Sequence, residues 1–141
     1  MRRRIPGLNQ ATQPAEVPDG LYLVRIQRAQ YRRHAQKPFY AVQFSVLEPK
    51  PFAGSLISGR IYCTQKALWK LSWFLQNFGY DAELLGRDEL EEKSLIGLAG
   101  VVKITHTTVN GTSLLNLDGF ASAGRWEELS SSADAPSSEV A

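Results

Sequence analysis

The chain has 141 residues, 43% of them hydrophobic and 21% charged, which suits a single core and excludes a collagen-like, coiled or wholly disordered protein. No uncharged stretch is long enough to span a bilayer, and the arginines at positions 2–4 lead into polar residues instead of the apolar run of a secretory signal. The lone cysteine, Cys63, cannot make an internal disulfide, so a soluble cytoplasmic protein is expected.

The net charge of +2 conceals a division. Residues 1–80 hold twelve basic side chains against three acidic ones, a balance of +9, whereas residues 81–141 hold four against eleven, a balance of −7. Such asymmetry is expected of a protein whose basic half meets a polyanion. Arg25, Arg28, Arg32, Arg33 and Lys37 fall close together, with His34 among them. A solvated edge strand that discourages aggregation accounts for such a cluster equally well.

Residues 1–18 contain Pro6, Pro14 and Pro18 with little periodicity, and read as a flexible basic arm tipped by Arg2, Arg3 and Arg4. The body is expected over residues 19–126, and residues 127–141 read as a disordered Ser/Ala-rich tail. Asp19-Gly20 signals a turn, after which Leu21–Arg33 alternates, with Tyr22, Val24 and Ile26 on one face and Arg25 and Gln27 on the other. The run is long for one strand, which predicts a bulge near Arg28–Ala29. Phe39–Leu47 alternates again with Tyr40, Val42, Phe44 and Val46 inward, so the two segments form a hairpin joined by a basic loop.

Leu56–Thr64 is the third strand, with Ile57, Ile61 and Cys63 on one side and Arg60 and Tyr62 on the other. From Lys66 the period changes. Leu68, Leu71, Leu75 and Phe78 make one helical stripe, stopped at Gly79. The helix also carries Trp69, Trp73 and Phe74, whose commonest role is core packing, with stacking on a ligand as the rarer one. A short helix is expected around Asp88–Lys93 in the acidic stretch that follows. Ala99–Thr108 and Ser113–Phe120 are the last strands, joined by an Asn110-Gly111 hairpin turn.

Five strands with an α-helix between strands 3 and 4 give an all-β fold with one helix, the element order of the five-stranded OB-fold barrel. The segment Pro18-Asp19-Gly20-Leu21-Tyr22-Leu23-Val24-Arg25-Ile26, then Ala29, resembles the opening of small phage and prophage OB-fold proteins. Similar too are the second strand ending in Val-Leu-Glu, Phe52-Ala53-Gly54, the helix with Leu71, Phe74, Leu75 and Gly79, and Leu95-Ile96-Gly97 before Val-Val-Lys-Ile. The resemblance covers residues 18–120 and implies binding of single-stranded DNA in phage replication and recombination. Two departures stand out. Ser55-Leu56-Ile57 replaces a basic residue common after the glycine, and the tail lacks the acidic, aromatic-ended tip through which bacterial single-strand-binding proteins recruit partners.

Single-strand binding needs cations along phosphates and flat rings under bases. The expected set is Arg25, Arg28, Arg32, Arg33, Lys37, Arg60 and Lys66 for phosphates, with Tyr31, Phe39 and Tyr62 for bases. Catalysis is not expected. There is no Gly-rich phosphate loop, His34 and His106 have no ligand-spaced partners, and Asp88, Glu89, Glu91 and Glu92 read as a solvated face. Neither metal nor cofactor is implied. The second reading is an OB-type interaction module that forms a homo-oligomer without nucleic acid.

Overall fold

The computed structural model describes residues 1–10, 17–33 and 37–131. Its strands are β1 (Gly20–Arg32), β2 (Phe39–Glu48), β3 (Leu56–Tyr62), β4 (Ala99–Val109) and β5 (Thr112–Ser122). Between β3 and β4 come α1 (Leu68–Asn77) and α2 (Ala82–Gly86). All five strands join one antiparallel sheet in the order β3-β2-β1-β4-β5. Among the described residues no helix is long and apolar enough to cross a membrane.

Strict alternation builds the core face. Tyr22, Val24 and Ile26 of β1, Val42, Phe44 and Val46 of β2, and Ile57 and Ile61 of β3 are all buried there. Asp19, just ahead of β1, ties the strand start to β4 through a 2.6 Å contact between its carboxylate and His106 Nδ1. Asn110 and Gly111 both adopt positive φ (51° and 79°), as the β4–β5 hairpin turn requires.

The register of β1 shifts between Ile26 and Arg28, which leaves Gln27 as the extra residue. The bulge therefore lies slightly ahead of the expected Arg28–Ala29. A second shift falls between Leu23 and Val24. Beyond Gln27, Ala29 is opposite buried Val42, and Arg28, Gln30 and Arg32 lie on the face away from the core.

The outer strands β3 and β5 share no ladder of hydrogen bonds, but they come close at one point. A Cβ built on Gly59 would lie 2.6 Å from Leu117 Cδ1, so only glycine lets that leucine reach β3. Helix α1 packs its Phe74 and Leu75 into the core, and Phe78, the residue just past its end, joins them with its ring directly over Gly100 of β4. Of the expected stripe, Leu75 and Phe78 are buried and Leu71 packs against the core. Leu68 is exposed, and Phe74 takes the central buried place because its neighbours Phe44, Phe78 and Phe120 meet it there.

The acidic stretch holds α2, earlier than the expected Asp88–Lys93, and a 3₁₀ turn, Glu92–Ser94, that overlaps the end of that span. Asp81 caps α2 by accepting from the backbone N–H groups of Glu83 (2.8 Å) and Leu84 (3.2 Å), and Asp88, at φ 59°, cannot continue it. Buried Tyr80 pins the following residues, donating to the Glu89 carbonyl (2.9 Å) and accepting from the Glu91 N–H (2.8 Å). At the ends, Val17 is only 4% exposed and joins the core although it falls in the expected arm, and a helical stretch over 126–131 runs from the last residue of the expected body into the expected tail.

Candidate nucleic-acid interface

The bulge in β1 and the alternation of β2 and β3 lay a grid of side chains on the outer face of three adjacent strands. Cross-strand pairing puts Arg28, Gln43 and Ser58 in one rank. Gln30, Ala41 and Arg60 form the next, and Arg32, Phe39 and Tyr62 the third. Neighbouring strands lie about 4.8 Å apart, so each rank brings its side chains within mutual reach. A shallow groove runs over this grid, lined by Arg28, Gln30, Arg32, Gln43, Ser58 and Arg60.

At the third rank the rings meet. The Phe39 and Tyr62 centroids are 5.7 Å apart, and the Arg60 guanidinium carbon lies 4.6 Å from the Phe39 centroid. The guanidinium plane and Tyr62 cover Phe39, which is only 8% exposed. Its expected use as an open stacking platform is corrected accordingly: Phe39 lies beneath exposed Arg60 and beside half-buried Tyr62, and supports them. Ser58, Arg60 and Tyr62 also line a second cleft, completed by Lys70 of α1 and residues 113–118 of β5.

The remaining expected residues are distributed as follows. Arg25 is exposed on the outer face ahead of the bulge, opposite Ser45, and outside the groove. Arg33 and Lys37 are exposed where β1 ends and β2 begins, and His34 lies outside the described residues. Lys66 is exposed on a 3₁₀ turn, Gln65–Ala67, before α1. None of these four basic residues lines the groove.

Tyr31 is on the other face. Its register partner is Tyr40, whose ring is 5.3 Å away, and the Tyr31 N–H donates to Glu92 Oε1 at 3.1 Å. A carboxylate held there repels a phosphate, so Tyr31 does not belong with Tyr62 and Arg60. Neighbouring Tyr40 has its hydroxyl pKa pushed up to about 12, by burial first and then by Cys63, Glu92, Tyr31 and Tyr80. Burial also raises the Cys63 thiol, which makes it a poor nucleophile.

The groove includes residues that charge and aromaticity did not single out. Gln30, Gln43 and Ser58 follow the same alternation as Arg28, Arg32 and Arg60, and that alternation was the available signal. Lys70 joins through the packing of α1 beside β3, which has no counterpart in local pattern.

No family model matches the chain, and no curated protein matches it significantly.

Proposed function

We propose that the chain is a sequence-tolerant single-stranded-DNA-binding protein on an OB-fold barrel, with roles in phage or prophage replication and recombination. The barrel reading draws on the sheet order β3-β2-β1-β4-β5, on the approach of β3 to β5 at Gly59 and Leu117, and on α1 lying between β3 and β4 in the chain. The functional reading is carried by one juxtaposition: Arg28, Arg32 and Arg60 line one groove, and strand register sets Tyr62 in the same rank as Arg32, in the cleft it shares with Arg60. The arginines neutralise successive phosphates, and the phenol ring with the Arg60 plane receives bases. Gln30, Gln43 and Ser58 add donors and acceptors between the charges.

Titration of the protein with labelled oligothymidylate at a series of salt concentrations tests the reading. Binding is expected to weaken steeply with salt, and Tyr62→Ala is expected to weaken it about 5- to 150-fold, the value of one base–aromatic stack. No binding of single strands at low salt, or equal binding of heparin, overturns the proposal. If light scattering then shows a homo-oligomer indifferent to DNA, the interaction-module reading takes its place.

A further inference from the structure

We infer that the nucleic-acid track continues off the sheet face and onto helix α1, where Trp69 and Trp73 form a second stacking platform. The inference rests on the single-strand-binding reading and extends it to a segment outside the β1–β3 grid. Trp69 is 65% exposed, the most exposed aromatic side chain among the described residues. Its ring is stacked on Trp73, with centroids 5.9 Å apart and planes inclined by 22°. Trp73 in turn sits edge-on against buried Phe120 at 5.4 Å. The pair is thus a rigid shelf: one indole anchored on the core and the other held parallel to it with its outer side open to solvent. Packing alone does not require a second indole there, because Trp69 adds little burial and contributes nothing to the core cluster.

Two further features give the shelf its occupant. The cleft that holds Arg60 and Tyr62 on the sheet side holds Lys70 on the helix side, which brings a cation onto α1 one residue along the chain from Trp69. Asp118 lines both that cleft and a third, which Trp73, Lys103 and Arg125 also line. Asp118 is the one acidic side chain on this route, and its carboxylate accepts a hydrogen bond from Thr105. Cations interspersed with flat rings are the recognition chemistry of an unpaired strand, since every base has a face to stack. The shelf therefore takes one base of a strand already seated on the sheet, and it lengthens the site without adding sequence preference.

The test compares oligothymidylates of about four and about sixteen nucleotides, the two ends of the site-size range of such domains. Full-length protein and the variants Trp69→Ala and Trp69→Phe are followed by affinity and by tryptophan emission. The short oligonucleotide is expected to bind all three alike and to leave emission unchanged. The long one is expected to quench emission, and Trp69→Ala is expected to lose about 5- to 150-fold in affinity for it, with Trp69→Phe retaining most. Because Trp69 is exposed, its removal leaves the core intact, and circular dichroism of each variant checks this. Equal affinity of wild type and Trp69→Ala for the long oligonucleotide overturns this proposal alone. A change in oligomeric mass without a change in long-strand affinity does the same, and assigns the shelf to a second copy of the chain. Failure of both lengths to bind wild type overturns the sheet-face reading beneath it.

Discussion

Arg60 shows how one side chain serves two demands at the proposed interface. Its guanidinium covers Phe39, keeping that ring from water, while its N–H groups stay at the groove and its charge is undiminished. A lysine in its place would keep the charge and lose the plane. Tyr40 has the opposite character. Its hydroxyl is held neutral by burial and by nearby anions, so its folded-state pKa of about 12 stands above the ordinary value of 10. A raised folded pKa means that the folded state holds its proton longer than the unfolded chain. The stabilisation is complete below pH 10 and disappears as pH rises from 10 through about 12. Tyr22, raised by its own burial and by Asp19, acts in the same direction. Urea midpoints measured across this range are expected to fall with pH, and Tyr40→Phe is expected to flatten the fall without removing the part due to Tyr22. A wild-type midpoint constant from pH 9 to 12 contradicts the assignment.

At the level of elements, the contact of α1 with the sheet depends on a missing side chain. The Phe78 ring occupies the space above Gly100, where a Cβ would lie 2.6–2.8 Å from ring carbons. The ring is hemmed in by Phe44, Phe74 and Phe120 and has nowhere to retreat. Gly100→Ala is expected to destabilise the fold by about 1–3 kcal/mol through overpacking. Gly86→Ala in α2, where nothing lies within 4 Å, is the control and is expected to be neutral or mildly stabilising. Denaturant midpoints of the two variants make the comparison. The strands were largely legible in the sequence, because alternation with period two is a local property of a half-buried strand. The β1 bulge was legible as a need but not as a position. Which residue is extra depends on the partners offered by β2, and Gln27 has nothing in its own chemistry to mark it. The expected Asp88–Lys93 helix is met only by the 3₁₀ turn Glu92–Ser94, and α2 went unseen because charge is a weaker local signal than the cap at Asp81, whose two hydrogen bonds set where α2 begins.

For the molecule as a whole, three cations of the basic half are gathered on one face. Arg28, Arg32 and Arg60 lie on the outer face of β1–β3, while Glu92 approaches β1 from the core side at Tyr31. A polyanion is drawn to one face and turned away from the other. Each phosphate contact on a single strand contributes about −0.7 to the slope of log affinity against log salt. Arg28→Ala is expected to reduce that slope by about 0.7, and Arg25→Ala, whose side chain stands outside the groove, to leave it unchanged. Equal changes in the two slopes contradict the placement of the strand in the groove.

The sequence by itself determined the faces of the strands, the hairpin turn at Asn110-Gly111, the helix after β3 and the concentration of cations in the first half of the chain. These follow from periodicity, positive φ and composition, which are properties of neighbours along the backbone. Only the tertiary structure decided that Phe39 is roofed by Arg60, that Tyr31 turns to Tyr40 and Glu92, and that Trp69 stands open on Trp73 while Phe74 is enclosed. The reason is physical: whether a ring is a surface or a support depends on what long-range packing lays over it, and no local pattern carries that information.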